Sequence, residues 1–430
     1  MLKIIMFFIV RFLNNLCLWA DSSNWFIHNE TNNYFKYPEN FATDAMIHFK
    51  NNLVFRPLIN TQIAKELSKK QGDTIDIKMP EYYIGNTGQN ITGKTNTISQ
   101  RTKQVQLKFW FNNSWQLSTL DRSITPDEFN EKTLKPGMEW IANQVDNICA
   151  SRIKDLIWHC GTAGTTPNTF VQLTAGQLIL DQIGVPSERV CVLDPAARWA
   201  YAHTFENMFV TEVSKNALMK GFLSRIADLE FFVSQNINTH TVGGTQSVPL
   251  TVSATLNKNS TLNQITMVGL DANLKEGDIF TIANVFAVNS WTKRVTTTTQ
   301  HFVVTADVTA GGTADVVTFS PQIVMSDDIK LGFGPGRQNV DKYPVAGSTI
   351  SFENTSHVCN GIFNKDAIAL SFCPINPPLS LNYKQTVNHE GLSLTVGRGA
   401  DILSYVETIR VDVLFACEAV YPEFGVRLMG

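Results

Sequence analysis

This 430-residue sequence has little excess charge of either sign: Lys and Arg total 35 against 38 Asp and Glu, a formal net charge of −3. Without a basic surplus nothing advertises binding through phosphate neutralisation; Lys94, Arg101 and Lys103 give a mildly basic stretch that reads as a partner contact or solvated hairpin before a nucleic-acid grip. The chain is also not acidic enough to read as a solvating tail. Membrane-length apolar runs are missing as well. The apolar stretch in "MLKIIMFFIVRFLNNLCLWADS" extends only from Ile4 to Val10 before Arg11, Asn14 and Asn15 break it. A membrane-spanning helix needs about twenty apolar residues. Three readings of this start remain open: a signal peptide cleaved after Ala20, a retained helix docking on the protein or on a neighbouring copy, and an over-long start.

Cysteine pairs are lacking too. The seven cysteines (17, 149, 160, 191, 359, 373 and 417) are odd in number, and none has the spacing of a zinc or redox motif. They read as small buried hydrophobes in a reducing compartment. The eight histidines show no HxxxH or HxH spacing, so no metal site is expected. "GFGPGR" (332–337) has glycines but neither the strand–loop–helix context nor the Lys-Ser/Thr of a phosphate loop, and reads as a flexible turn. A thiol enzyme could be built on paper from His159 and Cys160, Cys191, or His203 near Asp194, but no spacing brings them together. Asn-X-Ser/Thr matches at Asn29, Asn90, Asn112, Asn259 and Asn354 are expected by chance in an Asn- and Thr-rich chain. No catalytic residues and no cofactor are expected. A structural or binding protein is favoured.

What is present is an ordered chain, 43% hydrophobic and 17% charged, long enough for two or three folding units. Ala42, Met46 and Phe49 share one face of a helix over 42–53. "GDTIDIKMP" (72–80) and "VQLKFWFNNS" (105–114) alternate at strand period. The polar residues between them suggest an extended two-stranded arm that must lie on something else. In 123–161, Thr125, Pro126 and Glu128 form a capping box, and Pro136-Gly137 should interrupt the helix. Met138, Ile141, Val145 and Ile148 then continue it as far as Gly161, a spine about 30–35 Å long. Thr174 is expected to cap a short helix ended by Gly184 and Pro186. A buried strand at 189–195 and a helix starting at Pro195 follow. From Thr239 to about Ser326 helix signals vanish, and short β-branched runs separated by turns read as an all-β barrel or sandwich. "LKEGDIFTIANVFAVN" (274–289) lies within it. Helix-and-strand text resumes at 363–372 and 408–428, so the β module is an insertion.

The order of these pieces resembles the tailed-bacteriophage major capsid protein. More narrowly, it resembles the coat-protein type of short-tailed Salmonella phages, which carries an inserted β-barrel domain. The resemblance covers about residues 40–430, through "NNLVFRPLIN" (51–60), "DEFNEKTLKPGMEWIANQVD" (127–146), "LDQIGVPSERVCVLDPAARWA" (180–200) and "IRVDVLFACEAVYPEFGVRL" (409–428). It implies an α+β capsid fold with an N-arm, an extended loop, a peripheral domain with a spine helix, an axial domain and the inserted all-β barrel.

The implied division is 1–37 N-terminal extension, 38–72 N-arm, 73–122 extended loop and flanking strands, and 123–162 spine helix. It continues with 163–238 first axial part, 239–355 inserted barrel, and 356–430 second axial and peripheral part. The resemblance implies a non-enzymatic subunit that self-assembles into hexamers and pentamers around double-stranded DNA, without sequence-specific binding. A scaffolding protein and a portal ring are implied partners. The implied location is the virion capsid, assembled in the host cytoplasm, with no membrane association. Tyr83, Asn90, Lys94, Arg101 and Lys103 on the loop are the expected inter-subunit contacts. The alternative is a secreted or surface-anchored β-rich adhesin.

Overall fold

Phe41, Ala42, Ala45, Met46 and Phe49 recur at helical spacing, and all five are buried in helix α1 (Pro38–Asn52). The computed structural model describes residues 38–61, 74–79, 87–90, 92, 102–117, 130–206, 228–257, 260, 262–311, 314–325, 337–378, 380–401 and 406–430. The expected cap at Thr125, the 1–37 segment and most of "GFGPGR" lie outside the described residues.

Helix α1 packs against α2 (Lys135–Ser151), whose Met138, Ile141, Val145 and Cys149 are fully buried. Two expectations for α2 need correction. Pro136-Gly137 does not interrupt a helix. A π-helical turn (Asn130–Leu134) leads into α2, and Pro136 falls in its first turn, where a missing N–H is tolerated. Nor does the helix reach Gly161. It ends at Ser151, whose hydroxyl donates to the Ile148 carbonyl, and passes through a 3-10 turn (Arg152–Asp155) into strand β4 (Trp158–Gly161). The spine is therefore 17 residues, about 25 Å at 1.5 Å per residue.

Helix α3 (Phe170–Ile183) is capped by Thr169, not Thr174. The Thr169 hydroxyl accepts from the Gln172 N–H, and the Gln172 side chain accepts in return from the Thr169 N–H, a complete capping box. Thr174 sits inside the helix and donates to the Phe170 carbonyl. Gly184, at φ 86°, ends α3 as expected. Helix α4 (Pro195–Glu206) follows β5 (Arg189–Leu193).

Strands β4, β19 (Gly425–Met429), β14 (His357–Asn364), β5 and β6 (Leu229–Val233) form one mixed sheet, in that order. A second, antiparallel sheet runs β15 (Ile368–Cys373), β18 (Val406–Ala419), β17 (Leu392–Asp401), β16 (Tyr383–His389). Strand β3 (Phe109–Leu117) pairs with the other side of β18. The 105–114 run therefore divides: β2 (Thr102–Gln106) instead pairs with β1 (Thr74–Lys78), from Thr74 opposite Gln106 to Lys78 opposite Thr102.

The third unit is a closed six-stranded antiparallel barrel. It comprises β8 (Leu250–Val252), β9 (Gln264–Val268), β10 (Ile279–Val288), β11 (Val295–Val304), β12 (Asp315–Ser320) and β13 (Thr349–Phe352). Closure leaves no open sheet edge to template pairing. The rings of Phe280, Phe302, Phe319 and Phe352 meet at its centre, with centroids 5.1–5.8 Å apart. All its core residues come from within the barrel's own stretch of chain. This explains the β text amid mixed flanks, because "LKEGDIFTIANVFAVN" supplies the turn before β10 and then β10 itself. The barrel is joined to the rest through two adjacent segments. The outgoing strand β7 (Thr239–His240) pairs antiparallel with the returning β14, with His240 opposite His357. Entry and exit side by side allow a whole core to be inserted with little disturbance of the host sheet.

Candidate assembly surfaces

Two features distinguish this subunit: a polar two-stranded arm, and a seam that fixes the barrel to the host fold.

The arm is β1–β2. Its root is apolar. Val105 and Met79 are buried with Ala369, Ala416 and Val420 of the second sheet and its flank. On the opposite face Thr74, Asp76, Lys78, Thr102 and Gln104 are exposed, and Lys103 is exposed as well. Of the five loop residues expected at contacts, Lys103 is exposed on β2 opposite Ile77, and Asn90 is exposed with its side chain accepting from the Thr92 N–H at 2.9 Å. Tyr83, Lys94 and Arg101 lie outside the described residues.

The seam was not foreseen. Its centre is Arg427 on β19, fully buried, which lies beside His159 of β4 in the parallel pairing. One Arg427 nitrogen donates to the Gly277 carbonyl of the barrel at 2.9 Å. The other donates to the host carbonyls of Lys154 and Leu156. One guanidinium thus bridges the two units.

Around it stand four histidines. His240 meets Asp278 of the barrel at 2.8 Å, and the other Asp278 oxygen accepts from the Lys275 and Gly243 N–H groups. The ring of His301 on β11 lies 3.9 Å from that of His159, and its Nδ1 accepts from the His159 backbone N–H. His357 donates from Nδ1 to the Thr355 carbonyl, leaving Nε2 buried without a partner in the described structure. Burial holds the imidazoles of His301 and His357 down to about 4, and burial with neighbouring positive charge pushes His159 lower as well. At neutral pH these three rings are uncharged.

A second clamp joins the barrel to the end of α3. Trp291 donates to the Gly184 carbonyl at 3.2 Å, Asn289 to the Gln182 carbonyl at 2.6 Å, and Thr298 to the Gln182 side chain at 2.8 Å. Apolar contact at the joint is small, a cluster of Ile279, Val303, Met429 and Ala163 together with Ala287 of β10, which is buried in the host core. Hydrogen bonds, with little shared core, therefore position the barrel.

Gly243, on the segment entering the barrel, runs against the backbone of Asn273 and Leu274. A Cβ there would stand 2.4 Å from the Asn273 oxygen. Gly243→Ala is expected to cost about 2–3 kcal/mol through forced backbone shifts and to weaken the Gly243–Asp278 bond. Chemical denaturation of the variant measures this.

The paper enzyme fails on geometry. His159 and Cys160 are consecutive on a strand and point to opposite faces. Cys160 packs against α3 with its thiol pushed up to about 12 by burial, the opposite of an activated nucleophile. Among the described residues no His, Cys, Asp and Glu group could hold a metal, and no helix is long and apolar enough to cross a membrane.

Residues 38–430 match the family model described as P22 coat protein, gene protein 5. No curated protein sequence matches the chain. Among solved structures, Mycobacterium phage Che8 superposes with a TM-score of 0.44 at 11% identity, covering 87% of this chain and 90% of that one. The head structure of Helicobacter pylori bacteriophage KHP40 gives 0.42 at 10% identity, covering 88% and 90%. The CUS-3 coat protein I-domain is matched at 30% identity over 100% of its length and 26% of this chain, with a TM-score of 0.20.

Proposed function

The chain belongs to the P22 coat protein family, and from that premise we propose that it assembles as hexamers and pentamers into the icosahedral shell enclosing the double-stranded DNA of a tailed phage. Membership makes it a structural protein of the phage capsid and sets the adhesin reading aside. The finer reading rests above all on the β1–β2 arm. Two strands alone cannot bury themselves, and this pair lays one face on the host while its other face stays exposed. Laid over a neighbouring copy, the arm gains the partner it lacks.

Two further features support self-assembly. Val171 and Leu178 lie seven residues apart on one face of α3, and both are exposed, as is Trp199 on α4. The formal net charge of −3 suits a wall that encloses DNA without holding it by many phosphate contacts. In this reading the domain division is the one the resemblance implies, with the spine shortened to α2. Asn90 and Lys103, with Tyr83, Lys94 and Arg101, contact the neighbouring subunit. A scaffolding protein and a portal ring act as partners during assembly in the host cytoplasm. The subunit performs no catalysis.

Replacing residues 80–101 by a short Gly-containing turn tests this reading. The expected product is a soluble, folded subunit, with a circular dichroism spectrum and melting temperature close to those of the natural chain, that fails to close shells in electron micrographs. Shells of normal size from the variant would count against the arm as an assembly element.

A further inference from the structure

We propose that Cys149 and Cys417 form a latent cross-linking site, a thiol pair that closes to a disulfide when the protein leaves a reducing environment. Cys149 lies on α2 and Cys417 on β18, 268 residues apart in sequence. Their sulfurs are 3.5 Å apart, with the Cys417 thiol donating to Cys149. Both side chains are fully buried in the core that joins α1, α2 and the second sheet. A disulfide bond is about 2.0 Å long, so closure asks for an approach of about 1.5 Å, within reach of small rotations of two side chains.

The other described thiols are not so placed. Cys160 and Cys191 belong to the second core, Cys359 shares the first core but turns its thiol to the His357 carbonyl, and Cys373 donates to the Pro374 carbonyl. The Cys417 contact and burial raise the Cys149 thiol, while the nearby Arg152 guanidinium acts in the other direction. The pair is therefore stable as thiols in a reducing cytoplasm and reacts slowly, faster as pH rises.

The oxidant must be small and uncharged to reach this core, and a peroxide qualifies. One thiolate attacks the peroxide, breaking its O–O bond and giving a sulfenic acid and water. The second thiol then displaces the sulfenic hydroxyl as a second water, forming the S–S bond. Two S–H bonds are lost, two electrons pass to the peroxide, and two waters leave. The bond ties α2 to the sheet across most of the chain and restricts the unfolded state accordingly. Its use as a lock for released particles rests on the capsid reading, whereas the bond itself does not.

The test uses purified, unassembled full-length chain, treated with millimolar hydrogen peroxide at pH 8, denatured in iodoacetamide, and examined by intact mass and peptide mapping. The expected result is a loss of two hydrogens, two fewer alkylated thiols, a peptide pair linked through Cys149 and Cys417, and a melting temperature several degrees higher. Under the same treatment, Cys149→Ser and Cys417→Ser show neither the link nor the rise. If a variant does not fold, the map of the natural chain decides alone. Full alkylation of both cysteines, sulfinic acid at either, or a link through other thiols would overturn the proposal. Because subunits are examined before assembly, failure here leaves the shell reading untouched, and failure to form shells leaves this map valid.

Discussion

Arg427→Ala is expected to destabilise the protein by about 4 kcal/mol and to free the barrel from the host before either core melts. The guanidinium satisfies the carbonyls of Gly277, Lys154 and Leu156, all away from water. Alanine removes the donors, leaves those oxygens unpaired, and opens a cavity in a fully buried position. It also strips a positive charge from the surroundings of Asp278 and Asp155. Arg427→Met separates these contributions. It fills most of the volume but donates nothing, so about half the loss should remain. Urea unfolding followed by circular dichroism gives the magnitudes. Limited proteolysis at the two connecting segments, 241–249 and 353–356, reports release of the barrel. Equal stability of both variants and the natural chain would show that the bridge contributes nothing.

Acidification should loosen the same joint. In the folded protein His301 and His357 titrate near 4, against an ordinary 6.5. Between these values the unfolded chain binds more protons than the folded one, so stability rises with pH across the window and is lost as pH falls from about 6.5 towards 4. For His301 the difference corresponds to about 3 kcal/mol at the acid end.

The geometry agrees with that sign. Protonating His301 puts a hydrogen on the Nδ1 that now accepts from the His159 N–H, and sets a charge against a second imidazole near Arg427. Asp278, Asp155 and Glu276 also face this cluster, with Lys154 opposing them. Global melting is a poor readout, because Asp146, raised by burial to about 6 despite accepting from the Val54 and Phe55 N–H groups, works the other way. Its folded form holds the proton more tightly, so it favours folding as pH falls through the window from about 6 to 3.8.

A local probe avoids that cancellation. Trp158 packs on His301 with ring centroids 5.3 Å apart. Its fluorescence, with hydrogen exchange at β4 and β11, should change between pH 6 and 4. His301→Gln should remove most of the change. A flat response in the natural chain would show that the cluster does not respond to protons.

Periodicity made the separate units legible. The buried face of α1, the arm strands and the barrel's short β-branched runs each declare themselves within a few residues, because local sequence sets helix and strand period. The end of α2 did not, since Cys149, Ile153, Leu156 and Cys160 continue helical spacing while Trp158 and Cys160 also alternate as a strand, and only pairing with β19 selects the strand. The cap of α3 is readable in principle, because Thr169 and Gln172 have capping-box spacing. The seam was beyond reach. His159, His240, His301, His357 and Arg427 meet across more than 250 residues, and no spacing in the chain announces that meeting. Polarity and position mark the arm residues as exposed, and polarity alone does not say what they touch.

Electron microscopy of the full-length chain, expressed in bacteria with and without residues 1–37 and observed at low and high salt, decides whether this subunit builds shells. A coat protein of this construction should yield closed shells, polyheads or capsomer rings. A uniform small particle in every condition, unchanged when a scaffolding protein is co-expressed, would contradict the assignment of the arm and barrel to shell assembly.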